Sequence, residues 1–212
     1  MLLLGVVSGV MGVVFAIGQH DLKRLLAYHS IENIGIIVMG LGVALIGTAI
    51  GSPVMSLLGA AGALLHVLNH AVFKALLFLG AGSVIHATGT REIDLMGGLG
   101  KRLPYTALLF GVGAVAICGL PPLNGFVSEL LIYLGCFRGI QATGVAAATA
   151  ALAAPALALI GGLAVACFVK VYGIVFLGTP RTGEHAGRRE SGWRMLAPMT
   201  LLALACFVIG LA

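Results

Sequence analysis

Charge is what this chain has least of. Only 9% of its 212 residues are Asp, Glu, Lys or Arg, against about 25% in a soluble domain. With 60% hydrophobic residues and a mean hydropathy of +1.12, it cannot cover a water-facing surface, so an integral membrane protein is expected. Alternating ten-residue strands of the barrel type are absent, which leaves helices as the only way across a bilayer. Cysteine is scarce as well. Cys118, Cys136, Cys167 and Cys206 lie in apolar runs at no metal-ligand spacing. That argues against an iron–sulfur or zinc site and for small buried hydrophobes. Residues 1–17 have neither a basic leader nor a small-residue cleavage site, so they read as a membrane helix rather than a signal peptide.

What the chain does have is a series of apolar runs of about 20 residues or more, each long enough to cross about 30 Å of hydrocarbon. Six segments are expected, near 1–18, 26–50, 53–86, 104–138, 147–178 and 195–212. If all six cross, the first, third and fifth connections share one side. That side carries Lys23, Arg24, Arg91, Lys101, Arg102, Arg181, Arg188, Arg189 and Arg194, while the other has Arg138 alone. The net charge of +5 is therefore a topology signal and not a nucleic-acid footprint. It places the basic loops in the cytoplasm and both termini on the opposite side.

Against this background the ionisable residues inside segments are costly, each about 2.5–3.5 kcal/mol at mid-bilayer on insertion scales. Segment two contains AYHSIENIG, with His29 and Glu32 three apart on one helical face. Segment three contains HVLNHAVFKALLF, where His66, His70 and Lys74 recur every four residues and stack on one face. Glu129 lies in segment four and Lys170 in segment five. Taken singly, a lysine can snorkel to the interface, as Lys170 could, and a histidine can be interhelical glue. His20 and His86, at segment ends, are expected to face water. As a set spread over four helices, the buried groups point to proton transfer. A haem is disfavoured, because His66 and His70 share one face and cannot approach an iron from opposite sides. Lys74 would repel a metal cation.

Segment four carries GLPPLNGFVSELLIYLG. Pro121 and Pro122 remove backbone donors and Gly119 and Gly125 supply flexibility, so a break near 119–125 is expected. Glu129 follows it, and broken membrane helices occur where they line a cavity or ion path. The simpler reading, a proline kink with Glu129 near the outer interface, stays open.

Three blocks together, QHDLKRLLAYHSIENIG (19–35), HVLNHAVFKALLFLGAGSVIHATGTREIDLMGGL (66–99) and GLPPLNGFVSELLIYLG (119–135), resemble the antiporter-like membrane subunits of respiratory complex I, multisubunit cation/proton antiporters and group 4 hydrogenases. They are most similar to the hydrogenase-4 component B and formate hydrogenlyase subunit 3 branch. The resemblance implies an all-α, polytopic fold in which the six segments match helices nine to fourteen of a fourteen-helix subunit. Residues 1–178 would be the second five-helix repeat, 179–194 a basic cytoplasmic loop and 195–212 the final helix. The first repeat would lie outside this chain, as in a fragment or split-gene product, with a separate chain supplying helices one to eight as one possibility.

By the same resemblance, His66, His70 and Lys74 belong to the central hydrophilic axis and Glu129 ends a half-channel at the broken helix. Asp21, Lys23 and Arg24 match an Asp-x-Lys-Arg loop motif. Lys170 mirrors a helix-eight lysine under the inverted repeat, and His29 with Glu32 is typical of the hydrogenase branch. The implied function is proton movement within a redox-driven complex of the inner membrane, with no catalytic centre and no cofactor in this chain. The implied partners are other membrane subunits and a soluble hydrogenase or dehydrogenase arm carrying metal centres. A subunit of a cation/proton antiporter or of NADH-quinone oxidoreductase is the alternative, as is a structural remnant without transport.

Overall fold

A backbone in hydrocarbon has no water to bond, so apolar runs must close their hydrogen bonds within themselves. The computed structural model describes residues 1–140, 144–181 and 190–212, and these form seven α-helices: α1 (Leu2–Ile17), α2 (Leu22–Ala49), α3 (Pro53–Thr88), α4 (Pro104–Ile117), α5 (Asn124–Ile140), α6 (Val145–Phe176) and α7 (Trp193–Leu211). Four of them, α2, α3, α6 and α7, are long and apolar enough to cross a membrane individually. The expected segment four is α4 plus α5, interrupted at residues 118–123. Counting 1.5 Å per residue, α4 is about 21 Å long, too short to cross about 30 Å of hydrocarbon by itself.

The cause of the break is local. Gly119 has φ +61, the left-handed region that favours glycine, and Pro121 and Pro122 contribute no backbone donors. Elsewhere, helix starts follow capping chemistry. Asp21 precedes α2 and its carboxylate accepts from the Arg24 backbone N–H at 2.9 Å, so the acidic residue of the loop motif is a helix cap. Glu190 caps α4 from a distant part of the chain, accepting from Tyr105 N at 2.9 Å, Thr106 N at 3.3 Å and Thr106 Oγ1 at 2.6 Å.

The first, third and fifth connections do meet at one end. Leu22 N donates to Arg91 O (3.0 Å), Ile93 N to His20 O (2.9 Å) and Gly98 N to Leu177 O (2.9 Å). Exposed His20 pairs with Asp94 through Nδ1 and Oδ2 at 2.5 Å, and Arg181 Nη1 donates to Asp94 O at 3.3 Å. His86 is exposed as expected. Arg188 and Arg189, two of the basic residues assigned to this end, lie outside the described residues.

Helix α3 is the hub, packing on α2, α4, α5 and α7, while α6 covers α1 and α5. Contact between α1 and α2 is made through glycines. A β-carbon on Gly35 would fall on the backbone of Gly9, and one on Gly12 would fall on that of Glu32. Small residues allow this backbone approach, the usual basis of helix association where no hydrophobic force separates helix from lipid. All four cysteines are free and buried.

Candidate functional site

Where α2, α3 and α5 converge, their polar residues form one buried chain. His66 on α3 is its centre. Its Nε2 lies 3.0 Å from Asn33 Oδ1 on α2, and its Nδ1 lies 2.9 Å from Ser128 Oγ on α5. The Asn33 amide nitrogen donates to His29 O at 2.8 Å, which fixes the carbonyl end of that amide toward His66. His66 Nε2 is therefore the donor to Asn33. Beyond Ser128, Asn69 Nδ2 donates to Ser128 Oγ (2.9 Å) and to Asn124 O (2.7 Å), and Asn124 Nδ2 returns a bond to Asn69 Oδ1 (3.2 Å).

The Ser128 hydroxyl has one hydrogen and two acceptors in reach, His66 Nδ1 and Gly125 O at 3.0 Å. With neutral His66 the hydrogen points to Nδ1. With protonated His66, Nδ1–H donates to Oγ and the hydroxyl turns to Gly125 O. Both protonation states are thus satisfied without moving a heavy atom.

The remaining sequence candidates are distributed around this chain. His29 and Glu32, both buried, are hydrogen-bonded to each other through Nδ1 and Oε2 one turn below Asn33, and the His29 ring lies 4.7 Å from that of Phe168 on α6. Buried Lys74 donates to the Leu26 carbonyl of α2 and sits 5.1 Å from the Phe78 ring centroid. His70, one turn from His66, does not join the chain, and its buried Nε2 has no hydrogen-bond partner among the described residues. Lys170 does not snorkel freely. Half-buried, it donates to Ile17 O at the end of α1 at 2.8 Å.

Glu129 is buried yet separate from the His66 chain, because one residue along α5 turns the side chain by about 100°. Its carboxylate lies against Gly119, where an added β-carbon would collide with it. It faces a cavity of about 330 Å³ bordered by Tyr133 and by Gly161 and Gly162 of α6. Glu129 is thus enclosed beside an interrupted helix, and not on the continuous kinked helix of the simpler reading. Asn124 and Ser128 are not among the candidates read from the sequence, although they stand four apart in LNGFVSE and so share a helical face. No cluster of three or more His, Cys, Asp or Glu able to hold a metal occurs among the described residues.

The chain that carries this geometry has recognisable relatives. Residues 1–153 match the family described as NADH:quinone oxidoreductase/Mrp antiporter transmembrane proteins. The chain belongs to this family. It is 44% identical to hydrogenase-4 component B of Escherichia coli over 210 residues, 99% of this chain and 31% of that protein. Identity to formate hydrogenlyase subunit 3 of the same organism is also 44%, over 100% of this chain and 35% of the relative. The chain thus spans about a third of the length of these relatives. Its fold superposes with a TM-score of 0.81 and 28% identity on a subunit of the membrane-bound sulfane sulfur reductase, an archaeal respiratory membrane complex, covering 100% of this chain and 32% of that one. As a family member it is an antiporter-like, multi-pass membrane protein.

Proposed function

We propose that this chain is the proton-conducting second repeat of an antiporter-like subunit in a redox-driven complex of the hydrogenase or formate hydrogenlyase type. The observation that carries this reading is the Asn33–His66–Ser128 chain, in which one imidazole can be neutral or protonated with both ring nitrogens hydrogen-bonded in either state. A proton-transfer group needs hydrogen-bond partners in both of its protonation states, and this arrangement supplies them. The adjoining groups fit the same role. His29–Glu32 and Lys74 provide exchangeable protons on the α2 side, and Glu129 provides a terminal carboxylate on a cavity. Movement of charge at one site biases the next through Coulomb coupling in the weakly screened interior.

Electron transfer belongs to partner subunits in this scheme, and the chain carries no redox cofactor. By the positive-inside asymmetry, the end bearing Lys23, Arg24, Arg91, Lys101 and Arg102 faces the cytoplasm of a prokaryotic inner membrane. The likeness to hydrogenase-4 component B and formate hydrogenlyase subunit 3 supports a soluble hydrogenase arm as the partner that drives it.

The test is proton uptake and release by the full assembly in vesicles, with the redox reaction of the soluble arm followed in parallel. Lys74→Ala and Glu129→Gln are each expected to abolish coupled proton movement while electron transfer continues. Ser128→Ala is expected to slow it, since His66 Nδ1 loses its alternating partner. Normal pumping by the first two variants overturns the proposal. Proton movement that follows an imposed Na⁺ or K⁺ gradient, and not electron transfer, would assign the chain to a cation/proton antiporter.

A further inference from the structure

A large crevice lies away from the polar chain, between α4 and α6 beside the end of α7. It has a volume of about 570 Å³ and is lined almost wholly by apolar side chains, among them Leu108, Val112, Val115, Val169 and Phe207. This is within the range of about 300–1,000 Å³ typical of ligand cavities. Two glycines keep it open. At Gly173 on α6 a β-carbon would meet nothing within 4 Å, and at Gly111 on α4 it would touch only the Tyr172 ring.

Toward the basic end this crevice runs into a second cavity of about 390 Å³, with Leu108, Tyr172 and Leu177 common to both walls. Lys101 and the backbone at Gly100 and Gly178 line that second cavity. The Lys101 ammonium is exposed and has no ion-pair partner among the described residues. The nearby start of α4 is already capped by Glu190, so a second anion arriving at this end is drawn to Lys101. Tyr172 stands where apolar crevice gives way to charged mouth, the position at which amphipathic rings anchor at a membrane interface.

An apolar slot between membrane helices that opens onto the exposed Lys101 ammonium has the polarity of one molecule abundant in membranes. We infer that the α4–α6 crevice is a binding site for an anionic phospholipid, with one acyl chain lying along Gly111 and Gly173 and the phosphate at Lys101. The principle is general: basic pockets between transmembrane helices on the cytoplasmic side hold anionic headgroups. A zwitterionic lipid would supply the chain but leave its own cation facing Lys101.

The site is tested on the native membrane assembly containing this chain, extracted in mild detergent and examined by native mass spectrometry during titration with palmitoyl-oleoyl phosphatidylglycerol or phosphatidylcholine. The unmodified protein is expected to keep a phosphatidylglycerol adduct through delipidation and to prefer it over phosphatidylcholine at least tenfold. Lys101→Gln, an exposed change that leaves the fold intact, should remove most of that preference. Gly173→Phe should lose the adduct, whereas Gly82→Phe, at an equally open glycine on α3, should retain it. Equal retention in Gly173→Phe and the unmodified protein, or equal binding of the two lipids to the unmodified protein, overturns the inference. So does a benzophenone amino acid replacing Val169 that crosslinks in native membranes to another polypeptide and not to lipid.

Discussion

Between α2, α3 and α5 the buried polar atoms hold one another, whereas the crevice between α4 and α6 contains almost nothing polar. The helices themselves differ: α2, α3 and α5 carry the His, Asn and Glu residues at depth together with Lys74, whereas α4 has no charged residue and α6 has Lys170 alone. Within the polar helices, what matters is which face carries those residues. On α5, Asn124 and Ser128 turn toward α3 and join the His66 chain, while Glu129 turns toward α6 and the break. In hydrocarbon an unpaired polar group has no water to fall back on, so polar residues gather where partners already stand. Three atoms are exceptions in the inner layer: His29 Nε2, His70 Nε2 and Asn124 Oδ1 are buried without partners among the described residues. One of these, His29 Nε2, belongs to an imidazole proposed to carry a proton.

The contrast yields predictions of graded size. Gly35→Leu should have the largest effect, because its side chain would enter the backbone of Gly9 and force α1 from α2 beside Glu32 and Asn33. A loss of about 3 kcal/mol or more is expected in reversible unfolding from mixed micelles. Asn33→Leu should follow, at about 2–3 kcal/mol, since it removes the acceptor that holds buried His66 Nε2. If that variant were as stable as the parent, the inner layer would owe its order to packing alone and the contrast would fail.

Glu190→Ala removes a cap from α4 without touching either region. It should cost about 1 kcal/mol, visible as faster amide exchange at Tyr105 and Thr106. The smallest effect is expected from Val169→Leu at the exposed rim of the crevice, within about 0.5 kcal/mol, because lipid and leucine are equally apolar. A large penalty there would mean that a tightly fitted partner covers the rim.

Much of the fold was legible in advance. Scarce charge demanded a membrane, run length gave the segments, and the sorting of Lys and Arg gave three connections at one end, as the hydrogen bonds among residues 20–22, 91–94, 98 and 177 bear out. The break was legible in Gly119, Pro121 and Pro122, because missing donors and a left-handed backbone are properties of single residues. The site was legible only in part. A spacing of four placed His66, His70 and Lys74 on one face of α3, yet the three have different surroundings. His66 is fully bonded, His70 Nε2 is bare and Lys74 holds a backbone carbonyl.

The sequence by itself determined that the chain is a bundle of membrane helices with protonatable groups at depth, because hydrophobicity, helical period and the missing donors of proline act locally. Only the tertiary structure decided which of those groups meet. Whether Ser128 or Glu129 faces His66 depends on the rotation of α5 about its own axis. That rotation is set by the glycines and side chains of the neighbouring helices, residues far apart in the chain that no local rule connects.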